Sequence, residues 1–173
     1  MSPNQNRNTS PLHQQIPIRV ATNADVPTIS RLINAAFIIE RPIFDHDRID
    51  ESGVRDLMTK GKFLIHEDPA KNAIACVYLE PNLNDARCYL GLLSIAPEQQ
   101  GTGLGHRILA QAEATARAAG CHTMWLRTLS ARTPPLRPYY ERFGYTLREI
   151  APLTPTLHPK IFCEFVVMEK RLQ

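Results

Sequence analysis

Residues 92–109 read LLSIAPEQQGTGLGHRIL. The stretch joins the end of an apolar run, RCYLGLLSIA at 87–96, to a glycine-rich loop and then to a long amphipathic segment. An almost wholly apolar run of that length suits a strand buried on both faces. Gly91 inside it marks a bulge or a close backbone approach. In 106–119, Ile108, Leu109, Ala112 and Ala116 recur at helical spacing, and Gly120 supplies the stop. The loop therefore delivers its backbone to a helix N-terminus. There the first amides have no intrahelical partner and the helix dipole favours an anion. Glycines allow positive φ and close approach of a ligand. Seen alone, the segment is equally compatible with a tight strand-to-helix turn that binds nothing.

The spacing restricts which phosphate could sit there. A P-loop ends in Gly-Lys-Ser/Thr, whereas Gly105 is followed by His106 and Arg107. The dinucleotide fingerprint is G-x-G-x-x-G directly after a first strand. Here the spacing is G-x-G-x-G, deep in the chain.

Outward from the loop, the pattern is regular. Residues 16–21 alternate as a first strand. Thr22 or Asn23 can cap the helix that follows, with Pro27 tolerated in its first turn. Ile29, Leu32, Ile33, Ala36 and Phe37 carry its apolar face. Residues 41–50 are irregular and charged, and 50–60 form a second helix. Strands are expected at 62–67, 72–80 and 87–96, with turns at 68–71 and 81–86. After the 106–119 helix come a strand at 123–128, a short helix at 134–143 closed by Gly144, and strands at 145–150 and 162–170. The loop at 151–160 holds three prolines.

A chain of 173 residues fits one domain with a real core. Residues 1–15 are polar and read as a disordered leader, with the domain spanning 16–173. No apolar run is long enough for a membrane helix. A net charge of +3 is too small and dispersed to argue for nucleic acid. Cys76, Cys88, Cys121 and Cys163 are widely spaced and form no metal-ligand cluster, so no metal is expected. Reduced thiols fit a cytoplasmic protein.

The stretch at 92–109 resembles the acetyl-CoA motif of the GNAT superfamily of N-acetyltransferases, whose core is Arg/Gln-x-x-Gly-x-Gly/Ala. Gln100, Gly103 and Gly105 match it, and Leu93-Ser94-Ile95-Ala96-Pro97 matches the lead-in. Forty residues on, PYYERFGY resembles the family's second signature, Tyr-x-x-x-Gly-Phe/Tyr, through Tyr140, Gly144 and Tyr145. The resemblance covers roughly 16–172. It implies an α+β single-domain fold: a mostly antiparallel mixed sheet of six to seven strands, about four flanking helices, and a V-shaped splay between the strands at 87–96 and 123–128.

Residue by residue, the resemblance implies that a pantetheine arm bonds to the backbone of Leu93, Ser94 and Ile95. It implies a pyrophosphate on the amides of Gly101, Thr102, Gly103, Leu104, Gly105 and His106, with Gln100 among the cofactor-binding residues. Tyr140 would face the thioester sulfur and protonate the leaving thiolate. Its neighbour Tyr139 is expected on another helix face, because adjacent residues diverge by about 100°. Two positions depart from the pattern. Gln100, Gly101 and Thr102 stand where the family often has Arg or Lys, so phosphate binding leans on amides with help from His106 or Arg107. Thr133 replaces a family asparagine seven residues before Tyr140.

The implied partners are acetyl-CoA and an amine acceptor in a monomer or homodimer, with no nucleic acid and no membrane. Candidate general bases are Glu40, Asp45, His46, Asp47 and His158, in the two segments that line the acceptor side in that family. Trp125 and Arg127 read as core packing and surface pairing. Few acids occur in 151–160, which favours a small-molecule amine over a lysine-rich peptide. The alternatives are a peptide or protein amine acetyltransferase, a non-catalytic acyl-CoA sensor, and a nucleotide-binding module without chemistry.

Overall fold

The computed structural model describes residues 18–173. The leader at 1–15 and the start of the first expected strand lie outside the described residues. From there the chain runs β1 (Ile18–Val20), α1 (Val26–Ala36), α2 (Glu51–Met58), β2 (Lys62–Glu67), β3 (Ala73–Asn82) and β4 (Arg87–Ile95). It continues α3 (Leu104–Ala118), β5 (Thr123–Leu129), α4 (Arg137–Glu141), β6 (Thr146–Pro152) and β7 (Glu164–Arg171). The seven strands form one sheet in the order β1-β2-β3-β4-β5-β7-β6. Every pairing is antiparallel except β4 with β5. The α+β single-domain fold with seven strands and four α-helices matches the expected architecture.

Side-chain alternation on β3 sorts the core into two layers. Ala75, Val77 and Leu79 pack with Ile108, Leu109 and Ala112 of α3 on one face. Cys76 and Tyr78 pack with Ile29 and Ile33 of α1 and Val54 of α2 on the other. A third, smaller cluster of Ile43, Phe44, Leu129 and Cys163 ties the segment after α1 to β5 and to the entry of β7. All four cysteines are buried free thiols.

Element ends differ from the sequence expectations in physically readable ways. Asn23–Asp25 forms a 3-10 turn ahead of α1, so Thr22 caps that turn while Asp25 sits at the N-cap of the helix. The Asp25 carboxylate binds the Arg19 guanidinium at 2.7 and 2.8 Å and accepts from the Thr22 amide. These bonds hold its pKa well below the ordinary carboxylate value. β3 runs on through Pro81 and Asn82, which were expected in a turn, because they pair with Cys88 and Arg87 across the hairpin. β6 extends likewise to Pro152, opposite Glu164. The helix α3 starts at Leu104, two residues early, and α4 starts at Arg137, three residues late.

The feature that shapes the site lies in β4. Tyr78 pairs with Gly91 and Cys76 with Ser94, so Leu92 and Leu93 together face Val77. This is a β-bulge, and Leu92 adopts φ +51. Pairing with β5 ends at the same place: the parallel ladder runs from Arg87 opposite Thr123 to Leu90 opposite Leu126 and goes no further. β4 thus stays with β3 while it parts from β5. The expected V-shaped splay is present, and its apex is the bulge.

A polar network locks α3 to the far side of the sheet. The Tyr145 hydroxyl donates to Glu113 at 3.1 Å, and Lys170 Nζ donates to both Glu113 oxygens at 2.8 and 2.9 Å. Glu113 is 6% exposed and Tyr145 1% exposed, so neither can trade these bonds for water. Burial, with the Glu113 charge beside it, pushes the Tyr145 phenol pKa up and keeps it a donor. Glu113→Ala strands the partly buried Lys170 ammonium and the tyrosine hydroxyl. We expect it to lower the unfolding free energy by about 2–3 kcal/mol in urea titrations, with Glu113→Gln closer to the parent chain.

Candidate active site

The glycine loop closes onto the end of β4 through its own side chains. Gln100 Nε2 donates to the Ile95 carbonyl at 3.2 Å, and Thr102 Oγ1 donates to the Gln99 carbonyl at 2.7 Å. Gly101 and Gly103 take φ of +76 and +84. A Cβ at either would meet no protein atom within 4 Å, so glycine is required there by the backbone alone. Arg107 N bonds to the Gly103 carbonyl at 3.3 Å. The amides of Leu104, Gly105 and His106 precede that bond and have no intrahelical acceptor. Gly105 has a different reason: a Cβ there would lie 2.8 Å from the Tyr139 hydroxyl.

In front of this loop lies a cavity of about 620 Å³ whose walls are largely apolar. Leu93, Ile95, Gln100, Gly101, Gly103, Gly105, His106 and Tyr140 line it, which brings most of the sequence-identified residues together. Ser94, Thr102 and Leu104 do not line it. Ser94 is fully buried with its hydroxyl on the Leu92 carbonyl, Leu104 belongs to the core, and Thr102 closes its own turn. His106 is held by stacking on Phe143, with ring centroids 4.3 Å apart.

Tyr139 is a correction. It lines the same cavity as Tyr140, because Leu136, Tyr139, Tyr140 and Phe143 recur at i, i+3, i+4 and i+7 and all face it. Arg142, three residues on, places its guanidinium 5.8 Å from the Tyr139 ring and also lines the cavity. Sequence reading missed Arg142 and Arg132; the helical i,i+3 spacing from Tyr139 was the available signal for the first.

Tyr140 itself is 6% exposed. It packs edge-on against Tyr139 at 5.2 Å and Tyr145 at 5.6 Å. Its hydroxyl makes no hydrogen bond among the described residues. Burial raises its pKa above the ordinary phenol value, so it is protonated at neutral pH.

A second cavity, of about 230 Å³, opens inside the splay itself. Gly91, Leu92 and Leu93 of β4 form one wall, and Arg127, Thr128 and Leu129 of β5 the other. Tyr140, Leu93 and Phe37 border both cavities. The two cavities therefore share a wall, and Tyr140 is part of it.

Of the five candidate bases, Glu40 alone lines this second cavity. It is 6% exposed, with Arg132 Nε at 3.9 Å and Arg48 Nε at 4.0 Å. Burial raises its pKa above the ordinary carboxyl value, while the two arginines oppose the shift. Its Oε2 is buried without a hydrogen-bond partner. Asp45 is paired with Lys160 at 3.4 Å and Asp47 with Arg41, both at the surface. His46 contacts the Asp47 carbonyl at 2.7 Å, and His158 is exposed. Thr133 is exposed and lines neither cavity.

The sequence pattern of the acetyltransferase (GNAT) family matches residues 27–145, from α1 to the end of the second signature. The chain belongs to the GNAT acetyltransferase family. It is an acyltransferase of that family, whose members use acetyl-CoA. No curated protein sequence matches the chain.

Solved GNAT structures share its fold. Spermidine N-acetyltransferase from Vibrio cholerae, in complex with CoA and spermine, is 19% identical with a TM-score of 0.72. The alignment covers 91% of this chain and 96% of that one. The ribosomal-protein-S18-alanine N-acetyltransferase from Escherichia coli is 16% identical, TM-score 0.69, covering 90% and 93%. Nourseothricin acetyltransferase is 15% identical, TM-score 0.71, covering 91% and 98%. At these identities the likeness is one of fold. Among the described residues no helix is long and apolar enough to cross a membrane, and no group of three or more His, Cys, Asp or Glu side chains is placed to hold a metal ion.

The loop geometry makes a direct prediction. Gly103→Val must force a β-branched residue into positive φ on the open side of the loop. Calorimetric titration should show CoA affinity reduced at least tenfold, with the thermal unfolding midpoint lowered by only about 2–8 °C.

Proposed function

We propose that the protein transfers the acetyl group of acetyl-CoA to a small primary amine by direct attack in a ternary complex. The observation that carries this reading is the position of Tyr140, bordering both the cavity before the glycine loop and the cavity in the splay. The amides at the start of α3 suit a pyrophosphate. The β4 edge from Gly91 to Ile95, unpaired toward β5, suits the amide groups of a pantetheine arm. The size of the splay cavity and its enclosure favour a small acceptor over a protein tail. The solved relatives act on both kinds, spermidine and nourseothricin on one side and a ribosomal protein on the other.

In this mechanism Glu40 takes a proton from the bound ammonium group and frees its lone pair. The amine nitrogen attacks the thioester carbonyl carbon, and the N–C bond forms as the C–S bond breaks. A backbone N–H near Ile95 stabilises the charge that develops on the carbonyl oxygen. Tyr140 donates its proton to the departing thiolate. The second amine proton then restores the phenol through solvent. The raised pKa of Tyr140 keeps the hydroxyl protonated at neutral pH and makes it a weaker acid, so the transfer depends on the thiolate charge developing against it. The raised pKa of Glu40 makes it a stronger base than an exposed carboxylate while leaving it ionised above that value.

Two variants test the roles. Tyr140→Phe should retain CoA affinity and lower kcat by about a hundredfold; unchanged turnover removes Tyr140 from the mechanism. In the parent chain, kcat/KM should rise with pH as Glu40 loses its proton, at a pH above the ordinary carboxyl range. Glu40→Gln should lower kcat/KM by about a hundredfold or more and abolish that limb of the pH profile. A surviving limb assigns the base elsewhere. Tight CoA binding without thiol release over a broad amine panel would make the protein an acyl-CoA sensor.

A further inference from the structure

Two buried side-chain polar atoms lack hydrogen-bond partners among the described residues, Glu40 Oε2 and Thr128 Oγ1. Glu40 is 6% exposed and Thr128 7% exposed, and both line the splay cavity. A buried unsatisfied group is costly, and natural structures keep few of them. Of the two, Glu40 is the ionisable one, and its unsatisfied carboxylate marks the cavity as a place for a ligand that brings a hydrogen-bond donor.

The charges of the same cavity say what else that ligand carries. Against the single carboxylate of Glu40 stand Arg48 and Arg127 on the walls, with Arg132 3.9 Å from Glu40 behind them. Arg127 is exposed and has no carboxylate partner among the described residues. It is held by aromatic faces instead: its guanidinium lies 4.6 Å from the Phe165 ring centroid, 5.5 Å from Tyr89 and 6.0 Å from Trp125. Sequence reading had assigned it to surface pairing. Stacking of this kind orients a guanidinium without using its N–H donors, which remain free for a bidentate anion. Arg48 is set in the same way, 5.6 Å from the Phe37 ring. A polyamine would meet an excess of positive charge here. An amine alone would satisfy Glu40 and leave the arginine fork empty.

We infer that the acceptor is an amine that also carries a carboxylate, an amino acid with an apolar side chain. Its ammonium group meets Glu40, its carboxylate meets Arg127, and its side chain meets Phe37, Leu129 and Phe165. This rests on the acetyl-transfer reading for its chemistry but not for its binding.

The test separates the two. The full chain, saturated with CoA, is titrated calorimetrically with L-leucine and L-phenylalanine. Each is compared with its carboxamide, with its decarboxylated amine, and with spermidine. The acids should bind at least tenfold more tightly than the amides and amines, and spermidine more weakly than any of them. In Arg127→Gln the acids should fall to the level of their amides, while amide and CoA affinities stay within about twofold of the parent. Amides, amines or spermidine binding as tightly as the acids would overturn the inference. So would acids that do not bind, or an Arg127→Gln variant that weakens acid and amide alike. Thiol release from acetyl-CoA is read on the same ligands. Acid-selective binding with no thiol release sinks the acetyl-transfer reading and keeps the ligand class. Thiol release that favours amides or polyamines does the reverse.

Discussion

The parallel ladder between β4 and β5 stops after Leu90 and Leu126, and the splay cavity opens where it stops. Two strands that continue side by side would bury their backbone polar groups against each other. Here the bulge at Leu92 and Leu93 turns β4 away while its antiparallel pairing to β3 resumes at Ser94. The strain of a leucine at φ +51 costs about 1–2 kcal/mol. It is held in place by the packing of both sheet faces against α1 and α3. The result is a strand edge that faces a slot instead of a neighbour, with the glycine loop immediately after it.

The same geometry explains why the site is expensive in stability. Glu40 is buried near two arginines at the outer edge of ion-pair distance, and its Oε2 has no partner. A carboxylate so placed is not there to stabilise the fold. The small cluster of Ile43, Phe44, Leu129 and Cys163 fixes the segment after α1 against β5, and this positions Glu40 over the splay. On the other side, Glu113, Tyr145 and Tyr140 form a continuous line of contacts from α3 to the wall that the cavities share. The second signature of the sequence is therefore a structural brace that ends at Tyr140.

Elements whose pattern is local were legible. The 3.6-residue spacing of Ile108, Leu109, Ala112 and Ala116 and the alternation along β2 and β3 report burial on one or two faces, and these hold in any context that buries them. Element ends were less legible. Pro81 and Pro152 look like breakers, yet each lies in a strand because a distant segment supplies its partner. Tyr139 was misplaced because the 100° step between neighbours was read alone, whereas Leu136, Tyr139, Tyr140 and Phe143 share one broad helical stripe.

By itself the sequence determined the α+β order of elements, the glycine loop at a helix N-terminus and the two signatures that mark the family. All three are written in short-range spacing. Only the tertiary structure put Glu40, alone of the five candidate bases, on the wall of the splay cavity, and brought the exposed Arg127 to the same wall. It also placed Tyr140 on the wall that the two cavities share. Burial, ion-pair distance and ring stacking depend on residues far apart in the chain. Glu40 and Arg132, or Arg127 and Phe165, meet only when the sheet has formed.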